Sequence, residues 1–584
     1  MVNVVSLSAD CRFLISVSWV PFHARRHALT SETMKMIIAL ALVLLVTACG
    51  EKSSTVAGGG EDGGTLVIAM PDDPGPIFPP FAFDTYGRLI SEQIYDHLAD
   101  VGPEMNTIGD AGFRPELAER WTWSNDSLSI AFHLNPRARW HDGQPVTARD
   151  VKFTLALHRN PALGGQSVDE HARIDSVTTP DSLTVVFWFA NRSPVQFLDA
   201  AAQVTILPAH LLENIPVDKL RSSDPPLIGS GRFRLKRWDR GSSGELIADS
   251  ANYRGRAKLD RVIWTYSAST PARTKLLSGA ADVLDVMRPE DVREAARNPN
   301  LRIVTLTGLD YAFLHFNLRD PERNQQPHAL FSDRELRRAL TMSVNRAEIV
   351  RSIMDTFATV PLGPTVRAYP TTDSLVTQLP YDTARAGRTL DSLGWTRRDA
   401  SGTRTRNGRP LAFSVIVPAK STSRKRAAVI IQEQLRRVGA RMDIQEMDNP
   451  AFGARWRGKK FDAALGAFNM GSTPGATNRA WGTSGISANG VNFGSYSNPV
   501  FDAAVDSALS SNDPAQARAL FARAYRTINE DAPAIWLYEP KTVLGIHRRV
   551  RTTEMRPGAW WTDLASWWIP AGERLPRDQI LPPR

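Results

Sequence analysis

Apolar and polar positions follow two alternating periods along this chain, most clearly between residues 411 and 468. LAFSVIV (411–417) reads as a buried strand, and Ala428, Ile431, Leu435 and Val438 form one stripe of a helix expected from about Arg424 to Val438, with Gly439 as its stop. ARMDIQE (440–446) then alternates as a strand, and FDAALGAF (461–468) is a further apolar strand. Near the start, Thr65-Leu66-Val67-Ile68-Ala69-Met70 reads as a short buried strand leading into the proline-rich stretch 71–80. Helix starts are marked by a capping residue with an acid three positions on: Thr147 with Asp150, Ser332 with Glu335, Asn345 with Glu348. Asp513-Pro514 opens another helix, whose buried face is Ala517, Leu520, Phe521, Ala524 and Ile528. Strands alternating with helices imply an α/β protein, and no internal repeat is visible.

A chain of 584 residues exceeds what one hydrophobic core supports, so two or three lobes are expected. At 42% hydrophobic and 22% charged the composition is that of a globular protein. The net charge of +9 is spread without a basic stripe, which argues against nucleic acid as a partner. The two cysteines are Cys11 and Cys49, so disulfides, zinc knuckles and a cysteine nucleophile are excluded from the body of the chain.

Met34 begins MKMIIALALVLLVTACG, in which the apolar run Met36 to Val46 is too short to span a hydrocarbon core of ~30 Å but fits an export signal. Its end, Leu45-Val46-Thr47-Ala48-Cys49, resembles the lipobox of bacterial lipoproteins, and that resemblance implies a lipid on Cys49 and removal of residues 1–48. Residues 1–33 have no place in such a signal, which suggests translation from Met34 or Met36. EKSSTVAGGGEDGG (51–64) is too polar and glycine-rich to pack, so 49–64 reads as a flexible tether.

Enzyme signatures are missing: no GxSxG, HExxH, GxxxxGK[ST] or GxGxxG motif is present, and the 11 histidines show no ligand spacing outside the leader. No catalytic residue, metal site or cofactor is expected. Many of the fifteen tryptophans are clustered, as at Trp121/Trp123, Trp560/Trp561 and Trp567/Trp568, and they read chiefly as core or lobe-interface residues.

FRPELAERW (113–121) and FHLNPRARWHDGQPVTARDVKFTL (132–155) resemble the signature of the peptide/nickel-type solute-binding proteins of bacterial ABC importers, family 5. ILPAHL (206–211), IGSGRFRLKRW (228–238), ANYRGRAKLDRVIW (251–264), FSDRELRRALTMSVNRAEIV (331–350), VNFGSYSNPVFDAAVDSAL (491–509) and APAIWLYEP (532–540) follow in the family's order. The resemblance implies a pear-shaped α/β protein of the periplasmic-binding-protein type II kind, with two ligand-clamping lobes and an extra domain. Domain I is then expected at 65–105, 227–306 and 545–584, domain II at 106–226, and domain III at 307–544. Ligand is expected between domains I and III, where closure around it is stabilised by its higher affinity for the closed state.

Peptide-binding members hold the ligand's α-amino group with an Asp in a loop shaped roughly G-W-x-x-D. The matching segment here is Ala467-Phe468-Asn469-Met470-Gly471, followed by Ser472-Thr473-Pro474, and no Asp or Glu occurs between Asp462 and Asp502. Depending on the alignment, the acid's place falls on Gly471 or Met470. A buried ammonium left unpaired costs on the order of 3–5 kcal/mol, so an unmodified peptide in the usual register is disfavoured. Other cleft positions implied by the resemblance are Phe83, Asp84 and Thr85, Leu309 and Tyr311, and Tyr538 and Glu539. Each can equally be read as packing or hinge. Asp84 and Glu539 are the acids that could replace the missing one.

The resemblance therefore implies a monomeric, lipid-anchored binding protein in the periplasm or at the outer face of the cell membrane, passing a peptide or peptide-like solute to ABC permease subunits. The alternatives are a non-peptide solute, such as an opine, a sugar or a metal chelate, and a secreted enzyme on the same fold.

Overall fold

The computed structural model describes residues 62–579, apart from 72, 83, 164–172, 324 and 488–489. The expectations for residues 1–61, including the signal, Cys49 and most of the tether, lie outside the described residues, as does that for Phe83.

In chain order the first lobe begins with β1 (Thr65–Met70) and α1 (Thr85–Ile94). The second is built on β2 (Ala118–Trp123), β3 (Ser129–Leu134), α2 (Ala148–His158), β4 (Ile174–Thr178) and β5 (Thr184–Phe189). The chain then returns to the first lobe with β6 (Phe233–Asp239), β7 (Ser243–Ala248), β8 (Arg261–Tyr266), β9 (Val283–Leu284) and β10 (Leu301–Leu306). A third lobe holds β11 (Asp310–Phe316), α3 (Arg334–Met342), α4 (Arg346–Met354), β12 (Ala358–Thr359), β13 (Ala412–Pro418), α5 (Thr422–Arg437), β14 (Arg441–Met447), β15 (Ala463–Asn469), α6 (Pro514–Asp531) and β16 (Ala534–Pro540). Finally β17 (Thr542–His547) rejoins the first.

Each lobe is organised on one sheet. Among the described residues the strand orders are β10-β17-β9-β1-β8-β7-β6 in the first, β2-β3-β5-β4 in the second and β12-β16-β11-β15-β13-β14 in the third. β1 lies between two parallel neighbours, β8 and β9, and all six of its residues are buried, which is why its sequence is continuously apolar rather than alternating. β11 is likewise buried from Tyr311 to Phe316. In α5 the buried positions are Ala427, Ala428, Ile431, Gln434 and Leu435, close to the expected stripe.

The caps explain where the helices begin. Thr147 and Asp150 form a reciprocal capping box at α2, and Asn345 and Asp513 accept from the first turns of α4 and α6. The start expected at Ser332 shifts by one residue: Asp333 is the N-cap of α3 and accepts from Glu335 N and Leu336 N. A carboxylate adjoining two unpaired N–H groups displaces the neighbouring hydroxyl.

The C-terminal segment is latched to the first sheet by buried charge. Arg549 donates to both oxygens of Asp282, at 2.8 and 2.9 Å, and to Asp578. Asp578 accepts from Thr65 N at 3.0 Å and Asp282 from Val67 N at 3.0 Å, so the latch also fixes β1.

Candidate functional site

The chain passes between the first and third sheets twice, from β10 to β11 and from β16 to β17, and the two crossings touch. A Cβ placed on Gly308 would lie 2.1 Å from the Pro540 carbonyl oxygen. Strand register shows which edges face this double crossing. In the first sheet Leu306 pairs with Thr542, Leu284 with Gly545, Ala69 with Leu284 and Met70 with Tyr266, so the carboxyl ends of β1, β8 and β9 lie there. In the third sheet Asp310 pairs with Asn469 and Ala358 with Pro540, while β13 ends at Pro418 on the same side and leads into α5. A crevice at the carboxyl ends of strands beside a crossover is where open α/β sheets place ligands.

Several expected cleft residues serve the fold at this edge. Asp84 caps α1, accepting from Gly87 N at 2.8 Å, and Thr85 is the first residue of that helix. Leu309 is buried against Gly558, whose added Cβ would lie 2.2 Å from Leu309 Cδ1, and its carbonyl accepts from Met470 N at 2.9 Å. Tyr311 is fully buried, with its hydroxyl accepting from Trp481 Nε1 at 2.8 Å. Phe468 is half-buried and stacks on Trp456, with centroids 5.5 Å apart and planes at 15°, so much of its ring area is used inside the lobe. Tyr538 and Glu539 are buried. Glu539 accepts from Arg367 N at 2.7 Å and is ion-paired to the Arg367 guanidinium; burial nevertheless holds its carboxyl above the ordinary range. Neither of the two acids expected as substitutes is without a partner.

The acid-free loop is held by neutral groups. The Tyr369 hydroxyl lies 2.9, 2.9 and 3.1 Å from the carbonyls of Met470, Gly471 and Thr473, and Asn469 Oδ1 accepts from Gly471 N at 3.0 Å. Met470 is buried and Gly471 adopts a φ of +65°. Behind Gly471–Thr473 lies a cavity of about 380 Å³ reaching to Arg88 and Glu92 of α1, to Asp100 and to Arg556. Its carboxylates are neutralised in place, Glu92 by Arg88 at 2.9 Å and Asp100 by Arg556 at 2.7 Å.

A carboxylate does stand beside the loop, on the neighbouring strand. Asp310 is the cross-strand partner of Asn469, and Asn469 Nδ2 donates to its Oδ1 at 3.2 Å. No cation among the described residues is ion-paired with it; burial raises its carboxyl, opposed by the Asn469 hydrogen bond and the field of Arg424. Arg424, in the first turn of α5, is half-buried and donates to Ser421 Oγ at 3.1 Å and Leu465 O at 3.5 Å, with no carboxylate among the described residues ion-paired to it. Burial lowers it, opposed by Tyr538 and Asp310. Across the crossing, Asp285, directly after β9, is buried, accepts at 3.4 Å each from Tyr86 Oη and Trp560 Nε1, and is pushed up to about 6 by burial. The next residue, Val286, is exposed with φ +54°, a strained conformation for a β-branched side chain.

Sequence reasoning named the flanks of Asp310 but passed over the acid between them. Its usable signal was a charge opening an otherwise apolar strand; its pairing with Asn469 is set by register.

Residues 112–489 match the family described as bacterial extracellular solute-binding proteins, family 5. The chain is 26% identical over 553 residues to the oligopeptide-binding protein AppA of Bacillus subtilis, covering 92% of this chain and 98% of that one. Its fold is similar to that of B. subtilis AppA solved with a nonapeptide, at TM-score 0.72 and 24% identity, covering 87% of this chain and 99% of the other. It is also similar to NikZ of Campylobacter jejuni solved with Ni(L-His), at TM-score 0.73 and 22% identity, with coverages of 87% and 99%.

Proposed function

The chain belongs to the bacterial extracellular solute-binding proteins of family 5, and from that premise we propose that it captures a peptide or peptide-like solute between its first and third lobes and delivers it to the permease of an ABC importer. The fold is that of the type II periplasmic binding proteins. In this reading domain I comprises 65–105, 227–306 and 545–584, domain II 106–226 and domain III 307–544, with Cys49 carrying the lipid that holds the protein at the membrane.

The observation that carries the reading is the double crossing at Gly308 and Pro540, with the carboxyl edges of both large sheets turned toward it. Two lobes joined through adjacent short segments can rotate by changing a few backbone angles while their sheets stay rigid. A solute held by both lobes then stabilises the closed form by its differential affinity for it, and closure is the signal available to a permease.

The test is mass spectrometry of solute retained through gentle purification, followed by small-angle scattering with and without that solute. A retained compound whose addition contracts the particle supports the reading. A protein whose dimensions stay constant at saturating solute has no closing trap, and the proposal falls.

A further inference from the structure

Asp310 and Arg424 carry opposite charges, are both half-buried, and both reach the same strand, β15, Asp310 at Asn469 and Arg424 at the Leu465 carbonyl, where the field of each acts on the other. They are nevertheless not ion-paired with each other, and each is oriented by neutral groups: Asp310 by Asn469 Nδ2, Arg424 by Ser421 Oγ and the Leu465 carbonyl. Burying a charge is costly unless it is paired, and two opposite charges in one cleft ordinarily collapse into an ion pair. Here the protein bears both desolvation costs and leaves both counter-charges to be supplied. The neighbouring carboxylates Glu92, Asp100 and Glu539 are each matched by an arginine, Arg88, Arg556 and Arg367, which Asp310 and Arg424 do not do for each other.

We propose that Asp310 and Arg424 form a two-point receptor for a compact zwitterionic head group, an ammonium and a carboxylate on the same or adjacent carbons, with the ammonium received by Asp310 and the carboxylate by Arg424. The inference rests on the reading that this cleft binds a solute. Asp310 thereby supplies, from β11, the cation-binding acid that the 470–474 loop lacks. The N-terminus of a linear peptide meets half of this requirement, because its amine is followed by an amide. A peptide joined through a side chain, such as a γ-glutamyl peptide, retains amine and carboxylate on one carbon and meets both.

The test is titration calorimetry of the full chain with γ-glutamyl-glycine, γ-glutamyl-alanine and γ-glutamyl-phenylalanine, each also as its N-acetyl derivative and its α-carboxamide. At least one parent compound binds about 30-fold or more tighter than both of its blocked forms, as loss of one buried charge contact implies. Asp310→Asn abolishes the discrimination against N-acetylation and keeps that against amidation; Arg424→Gln does the reverse. The exchange Asp310→Asn with Asn469→Asp moves the carboxylate to the paired position on β15 and restores preference for the free amine. That variant keeps the test decisive if a single substitution loosens the loop. The proposal is overturned if blocked and parent compounds bind within about threefold of each other, if Asp310→Asn leaves the N-acetyl discrimination intact, or if no γ-glutamyl compound binds. Contraction of the protein around a retained solute lacking such a head group removes this proposal and leaves the trapping function standing.

Discussion

Replacing Gly308 with Ala places one methyl group where the two interlobe crossings meet. The new Cβ would lie 2.1 Å from the Pro540 carbonyl oxygen and 3.3 Å from the Pro540 carbonyl carbon. Ordinary contact begins near 3.4 Å, so the crossings must separate by roughly 1 Å. The opposing atoms are backbone, so no rotamer change relieves the clash. Gly308 is not among the positive-φ glycines, so alanine meets no conformational penalty there, and the effect isolates packing at the crossing. An added methyl in a close-packed site costs about 1–3 kcal/mol, and separation here displaces Leu309 on one side and Glu539 on the other. If the lobes close by changing backbone angles in these same segments, as proposed, part of the cost falls on the equilibrium between open and closed forms. A shift of about 1.4 kcal/mol in that equilibrium changes apparent affinity as much as tenfold, although no side chain near the solute has changed. The assay pairs chemical unfolding with calorimetric titration of the solute retained by the wild-type protein. Unfolding free energy within about 0.5 kcal/mol of wild type, together with an unchanged Kd, would refute a tightly packed hinge at this position.

Three further outcomes follow from the buried charges. Arg549→Met leaves Asp578 with no cation paired to it among the described residues and Asp282 with Arg577 alone, and is expected to cost about 3–5 kcal/mol in urea unfolding; a loss below about 1 kcal/mol contradicts the latch. His315 is fully buried with neither ring nitrogen hydrogen-bonded, and burial pushes it down to about 3 from an ordinary 6.5. Only the unfolded chain takes up this proton between those values, so its contribution is complete above pH 6.5 and is lost as pH falls toward 3, at roughly 1.4 kcal/mol per unit. His315→Leu is expected to flatten that slope, and equal pH slopes in the two proteins would contradict it. Asp285 has the opposite sign: its folded value of about 6 exceeds the ordinary 3.8, so its contribution is complete below 3.8 and lost as pH rises through 6. Asp285→Asn should therefore raise the melting temperature at pH 7.5 more than at pH 4, with a difference on the order of 3 kcal/mol; an equal effect at both values would contradict the burial argument.

Local pattern carried much of the fold. The expected strand LAFSVIV is β13 displaced by one residue, the helix expected at 424–438 is α5 at Thr422–Arg437, and Thr147, Asn345 and Asp513 cap the helices they were expected to open. These features depend on neighbours within one or two turns, so a single stretch of sequence contains their determinants. Ser332 against Asp333 shows the limit of that reasoning, since two adjacent capping residues compete and only the geometry of the turn selects one.

The proposed binding edge was legible in outline and not in chemistry. The absence of a carboxylate between Asp462 and Asp502 is a fact of sequence, and it located the loop. What faces that loop depends on register. Asp310 lies 159 positions away from Asn469, and their pairing exists because β11 and β15 are antiparallel neighbours with Asp310 opposite Asn469. Whether a carboxylate is available depends likewise on distant partners: Glu539 is neutralised by Arg367, Asp100 by Arg556 and Asp282 by Arg549, while Asp310 and Arg424 have no ion-pair partner among the described residues. Sequence by itself determined the family, the α/β alternation, the helix caps and the loop without an acid, because each is written in contiguous residues. Tertiary structure alone decided which charges are already matched, because electrostatic pairing depends on a few ångströms of separation across strands far apart in the chain.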